Sequence, residues 1–219
     1  GPHIRKMCVA SLVLTVEHIL TGLVLPALYL RTEKIVFFDM SMYGEIGFQI
    51  VSCAHILASY YLERDVTIEQ MHKVVWPLLL VHHGCTIFLC VLSLRLGDAC
   101  PREGVCHFLF ALLGLTSTLH YLGQILDFSP LSQANTPYVR MANHLVAVLS
   151  MIWFRCIYWF KIAYFAVEHT AQIRGNATAV LVALILLLFT VFNADFIKFH
   201  IKATKGCWKK IVLETKKDM

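Results

Sequence analysis

Two imidazoles, His82 and His83, stand side by side in the middle of an apolar stretch, 74–94, with Thr86 one turn further on. Imidazole takes up or releases a proton near neutral pH, and it can serve as general base or as nucleophile in acyl transfer. Two such groups are costly to bury at bilayer depth, so they mark a polar site inside a membrane bundle. Depth along the other apolar stretches follows from a rise of about 1.5 Å per residue. It puts Glu17 and His18 about 15 Å into the first stretch. His55 falls at mid-depth in the second stretch and Arg155 deep in the fifth. His120, Asn193 and Asp195 fall in the cytosolic halves of the fourth and sixth, and Asn143-His144 near the cytosolic end of the fifth.

Spacing supplies part of the geometry. Thr86 follows His82 at i+4 and His83 at i+3, so its hydroxyl can lie beside either ring. The two rings themselves diverge by about 100° on a helix. One of them therefore points at a given centre, and the other bonds to a neighbouring helix or a carbonyl. Glu17 fits two roles, a neutral acid bonded to a histidine or an ion paired with Arg155. Arg155 is either a structural ion-pair member or the anchor for a lipid carboxylate or phosphate. Lys198, His200 and Lys202 read as snorkelling residues, as does Lys161, with Trp153, Tyr158 and Trp159 as interfacial anchors. Metal binding is not expected. Adjacent histidines are poorly spaced for two ligands from one helix, and the chain has no C-x-x-C. It also has no glycine-rich phosphate loop and no G-x-S-x-G elbow.

The elements that must hold these residues are helices. Of 219 residues, 58% are hydrophobic and only 15% are charged; mean hydropathy is +0.67. Such a chain has too much apolar surface for a soluble domain and reads as an all-α integral membrane protein. Apolar stretches at 7–30, 44–62, 74–94, 105–123, 141–166 and 178–199 predict six transmembrane helices. Gly1-Pro2 reads as a cleavage remnant, 1–6 as a cytosolic stub, 7–200 as the membrane domain and 201–219 as a basic cytosolic tail. If both ends are cytosolic, eleven positive residues face the cytosol: Arg5, Lys6, Arg64, Lys73, Arg140, Lys202, Lys205, Lys209, Lys210, Lys216 and Lys217. Arg31, Lys34, Arg95, Arg102 and Arg174 make five on the other side, the direction of the positive-inside rule. Cys100 and Cys106 would then share a lumenal loop, where they either close a small disulfide or stay as free thiols. Asn176-Ala177-Thr178 is a glycosylation sequon close to the membrane on that side. Lys216-Lys217-Asp218-Met219 resembles a dilysine signal for retrieval to the endoplasmic reticulum.

Over residues 44 to 200 the chain resembles the TLC-domain family of ceramide synthases and lipid regulators. His82-His83-Gly84-Cys85-Thr86 is similar to the family's H-H-x-x-T opening. Leu113 to Leu126 resembles the Ser/Thr-containing patch of non-synthase members, Asn143 and Phe154-Arg155 the N…F-R pattern, and Phe192 to Lys198 the end of the last helix. The synthases' H-D-x-x-D element is missing: no aspartate occurs between Asp98 and Asp127, and Thr116-Ser117-Thr118-Leu119-His120 stands there instead. Gly114-Leu115 and Gly123-Gln124 replace the glutamate and arginine that flank the non-synthase patch. The resemblance implies a TLC-type barrel of six transmembrane helices around a lipid-accessible cavity, with the double histidine facing inward.

The expected function is lipid modification in the endoplasmic reticulum membrane. An acyl group would pass from acyl-CoA, as co-substrate, to a sphingoid or other lipid acceptor, with His82 and His83 as catalytic residues. Glu17, Thr86, Asn143, Arg155, Asn193 and Asp195 would line the lipid cavity. The alternative is a non-catalytic lipid-binding regulator of membrane composition. A retinal-type photoreceptor built on Lys198 would want seven spans and a mid-membrane carboxylate in the third helix. No bound cofactor is expected. The expected partners are membrane lipids and a fatty acyl chain rather than nucleic acid; the oligomeric state is left open.

Overall fold

The computed structural model describes the backbone of residues 2–62, 66–128 and 137–217, and the side chains of residues 9, 11–54, 57–58, 79–126 and 137–213. Nearly all of this is helix, in six continuous rods. Pro2–His18 and Leu25–Thr32 form the first, joined through a π-helical stretch, Ile19–Val24. Ile35–Leu62 is the second and Val66–Arg95 the third. The fourth runs from Arg102–Leu109 through a π-helical stretch, Phe110–Ser117, into Thr118–Phe128. The fifth is Pro137–Ile152, π-helical Trp153–Tyr158 and Trp159–Arg174, and the sixth is Asn176–Lys217.

Local chemistry ends the rods. Glu33 takes a left-handed φ of 57° and its N–H bonds back to the Tyr29 carbonyl, closing the first. Gly175, at φ 83°, separates the fifth from the sixth, a geometry that a side chain would strain. The rods pack in a closed order: first on second, second on third, third on sixth, sixth on fifth, fifth on fourth, and fourth back on first. Where the first and fourth cross, their π-helical stretches meet at Gly22 and Gly114. A Cβ on Gly22 would come within 2.6 Å of the Gly114 nitrogen, so only glycine permits this approach.

Polarity is inverted relative to a water-soluble bundle. The first rod exposes Val9, Leu12, Val13, Val16 and Leu20, and the fifth exposes Leu145, Val146, Leu149, Trp153, Ile157 and Phe160. Meanwhile Ser41, Glu45, Gln49, Thr116, His144 and His200 are buried. Lipid as solvent accounts for this arrangement, since it accepts the apolar faces and drives polar groups inward. Among the described residues, four helical stretches are long and apolar enough to cross a membrane: Ser11–Thr32, Arg102–Leu126, Pro137–Arg174 and Asn176–Leu213. Leu79–Arg95 is a shorter apolar stretch. The chain is a multi-helix protein with the character of a multi-pass membrane protein.

Several elements differ from the sequence reading. The second helix begins at Ile35, well before the expected 44. The sixth continues through the basic segment to Lys217, about 63 Å for its 42 residues. Trp159, expected at the interface, is buried against Phe108 and Phe189, and its indole N–H donates to Thr190 at 2.9 Å. Cys100 and Cys106 are free thiols, buried in one apolar cluster with Phe38, Met42, Cys90 and Leu109. Burial pushes the Cys100 thiol up to about 11.

Candidate functional site

The interior polar groups form three hydrogen-bonded assemblies. The first crosses the first three rods. His18 Nδ1 meets a Glu17 carboxyl oxygen. Thr21, on the first π-helical stretch, reaches Glu17 Oε1 at 2.8 Å and Glu45 Oε2 at 3.2 Å. Ser41 donates to the Thr21 carbonyl at 2.6 Å, fixing the second rod against the first. Glu45, one turn before Gln49, accepts from the Gln49 amide nitrogen. The amide oxygen of Gln49 meets His83 Nδ1. An amide oxygen only accepts, so Nδ1 of His83 carries the hydrogen and Nε2 of the neutral ring holds a lone pair. Each member is held by the next: Thr21 orients Glu45, Glu45 orients Gln49, and Gln49 orients the imidazole.

His82 points elsewhere, as the 100° helical divergence requires. Its ring sits edge-on to Phe189 and Phe192 of the sixth rod, with centroids 5.0 and 4.8 Å away. It lies 5.5 Å from the His83 ring. Its Nδ1 is buried and has no hydrogen-bond partner. A buried polar atom left open carries a desolvation cost of about 1–3 kcal/mol, and a ligand that supplies a partner removes it.

The second assembly centres on Arg155, on the π-helical stretch of the fifth rod. Its guanidinium donates to Thr116 Oγ1 (2.6 Å), Asn193 Oδ1 (3.1 Å), the Leu112 carbonyl (3.0 Å) and Ser117 Oγ (2.5 Å). Phe196 covers its face at 5.1 Å. Its partners among the described residues are neutral acceptors on the fourth and sixth rods, and Glu17 is not among them. The fork works here because Thr116 and Ser117 lie on the fourth rod's π-helical stretch, which presents both hydroxyls and a carbonyl to one planar group. The third assembly joins His120, His200 and His144, with Gln124 and Ser11.

The remaining candidates separate. Thr86 donates to the His82 carbonyl of its own helix at 3.0 Å and bonds to neither ring, because the i−4 carbonyl lies closer to its hydroxyl. Asn193 joins Arg155 in both directions. Asn143 lies between the fourth and fifth rods and donates to the Leu119 carbonyl at 3.5 Å. Asp195 is exposed and paired with Lys198 at 3.1 Å, one face away from the interior, so it lines no cavity there. His200 is fully buried and does not snorkel. The side chain of His55 lies outside the described residues. Sequence reasoning passed over Glu45 and Gln49, because it started the second span at 44 and so left Glu45 at the membrane edge. It passed over the histidine assembly because its members are 56 and 80 residues apart. Two described cavities, of about 490 and 310 Å³, lie at the Tyr29/Arg102/His107 and Met141/Thr204/Trp208 ends and touch neither His82 nor His83. Among the described residues, no cluster of His, Cys, Asp or Glu could hold a metal ion.

The fold and interior therefore define a multi-helix membrane-type protein with a hydrogen-bonded polar core. No protein-family model matches the chain, and neither a curated protein nor a solved structure matches it.

Proposed function

We propose that the chain is a TLC-type lipid-modifying protein of the endoplasmic reticulum membrane, with both termini cytosolic, that transfers an acyl group from acyl-CoA to a lipid hydroxyl or amine. The closed order of six rods supports the barrel reading, and the H-H-x-x-T resemblance supports the family. The observation that carries the reaction is the Glu45–Gln49–His83 chain. It holds one tautomer and leaves His83 Nε2 as a positioned base, the arrangement acyl transfer uses. Nε2 takes the acceptor's proton as its oxygen or nitrogen attacks the thioester carbonyl. The proton then goes to the departing CoA thiolate. His82 Nδ1, 5.5 Å away ring to ring, receives a hydrogen bond from the acceptor headgroup and so gains the partner it lacks. Positive residues of the cytosolic face, such as Lys73, Arg140 and Lys202, would meet the CoA phosphates.

The second reading is a non-catalytic lipid-binding regulator. It is favoured by the absence of the synthase aspartates and by cavities that lie away from His83. One assay separates the two. Purified protein receives acyl-CoA with sphingoid and glycerolipid acceptors, and free CoA is measured. Catalysis predicts acceptor-dependent CoA release. Folded protein that retains lipid in native mass spectrometry yet releases no CoA with any acceptor would replace catalysis with the regulatory reading.

A further inference from the structure

The last rod runs on past the depth of a bilayer. The apolar stretch 178–199 supplies about 33 Å of helix, enough for the hydrocarbon layer. Asn176–Lys217 is helical throughout, so Thr204, Lys205, Trp208 and Lys209 stand on the same rod about 8–15 Å further on. The fifth rod packs along it. His200, Cys207 and Ile211 are buried, which fixes the rotation of this segment. Lys205 and Lys209 lie on the opposite side with Trp208 at its edge, and all three are exposed.

With Met141 of the fifth rod and Thr204 they line a cleft of about 310 Å³. Its walls are of two kinds. Met141 and the Trp208 indole make an apolar side. Lys205 and Lys209 stand on successive turns of one helix face, so their ammonium groups are neighbours. Among the described residues neither has an ion-pair partner, whereas Lys198, two turns before Lys205, is bonded to Asp195. Two like charges at that spacing repel, and an anion between them removes the repulsion. The Thr204 hydroxyl is spent on the His200 carbonyl at 2.8 Å, so the ammonium groups and the indole N–H are left to donate to an occupant.

The direction of the cleft selects the anion. Side chains on a helix lean towards its N-terminus, which carries the two ammonium groups back towards the bilayer. One turn nearer the bilayer, exposed Ile201 continues the face of Lys205, and exposed Leu145 continues that of Met141. A phosphate at the lysines therefore sits at the head of an apolar path into lipid. A soluble phosphate would use the charges and leave the path empty, while an acidic phospholipid uses both.

We propose that this cleft between the fifth and sixth rods binds one acidic phospholipid. Its phosphate lies between Lys205 and Lys209, and an acyl chain runs past Met141 and Trp208 towards Leu145 and Ile201. Basic clefts between membrane helices hold such headgroups by the same pairing of charge and apolar wall. The site lies apart from His82 and His83 and stands whether or not the chain transfers acyl groups.

Native mass spectrometry of the purified full chain tests this, with the protein titrated in detergent with phosphatidylglycerol or with phosphatidylcholine of the same acyl chains. One phosphatidylglycerol should be retained at concentrations where phosphatidylcholine is not. Each lysine near a membrane surface contributes about fivefold to such binding. Lys209→Gln should therefore weaken retention about fivefold, and Lys205→Gln combined with Lys209→Gln roughly 25-fold. Lys210→Gln removes the same charge from the adjacent residue, which is exposed on another face, and should leave retention unchanged. The lysines are exposed, so the unfolding temperature without added lipid should match the wild type in each variant. Excess CoA should not displace the lipid. Equal retention of the two lipids, equal losses in Lys209→Gln and Lys210→Gln, or displacement by CoA would overturn the proposal.

Discussion

The chain of bonds through the first three rods ends on the His83 imidazole beside a buried His82 nitrogen that has no partner, whereas the guanidinium of Arg155, between the fourth and sixth rods, is taken up by four acceptors. Thr21, Glu45 and Gln49 pass orientation along to the Nδ1 side of His83. Arg155 spends four of its donors on Thr116, Asn193, Leu112 and Ser117, and the histidine chain returns through Gln124 to Ser11 of the first rod. Both halves bury polar groups in a bundle that faces lipid, and both must satisfy them or bear the cost. In the proposed function, the buried and unpartnered Nδ1 of His82 is where a substrate would complete the bonding.

The comparison breaks most severely at Arg155. Arg155→Ala should strip four acceptors of their donor and cost about 3–5 kcal/mol, read as a large fall in unfolding temperature in detergent. Arg155→Lys keeps the charge but loses the planar fork, and should recover only part of that. If Arg155→Lys matches the wild type, the closed-hub description is wrong.

The seam between the two halves comes next. Gly22→Ala drives a Cβ into the backbone of the fourth rod and should cost about 1–3 kcal/mol, as overpacking does. Gly47 has open space around its Cβ position, so Gly47→Ala should be neutral or stabilise by up to about 1 kcal/mol. Equal responses at the two glycines would refute the close crossing.

Smaller effects sharpen the contrast with the surface. Lys198→Ala breaks an exposed pair and should change stability by about 0.5 kcal/mol or less. Cys100, with its thiol pushed up to about 11, should be alkylated slowly at neutral pH, its rate rising as pH climbs towards that value. The sign for stability follows: the unfolded thiol ionises first, so this contribution is present at neutral pH and is lost as pH rises towards the folded value. Rapid alkylation in the folded protein at neutral pH would show that Cys100 is not buried.

Much of the helical fold was legible, because long apolar stretches and scarce charge leave little else for a chain in lipid. The divergence of His82 and His83 was legible as well, since it depends only on helical pitch. The depth of Glu45 was not. Hydropathy starts a span where charge ends, and Asp39 and Glu45 hid a helix that begins at Ile35. Arg155 could be recognised as a costly residue, but its partners come from a π-helical stretch, Phe110–Ser117, that residue types do not announce. The histidine chain is likewise invisible to spacing, because three separate rods bring its members together.

The most direct measurement compares His83→Ala with His82→Ala in the CoA-release assay, with unfolding temperature recorded for each. Loss of a positioned base should cost His83→Ala roughly a hundredfold or more in turnover while the protein stays folded, and added imidazole should restore part of it. His82→Ala should keep the chemical step and weaken acceptor binding, raising KM more than it lowers kcat. Turnover that survives His83→Ala, or wild-type protein that releases no CoA with any acceptor, would contradict the assignment of His83 as the working end of the chain.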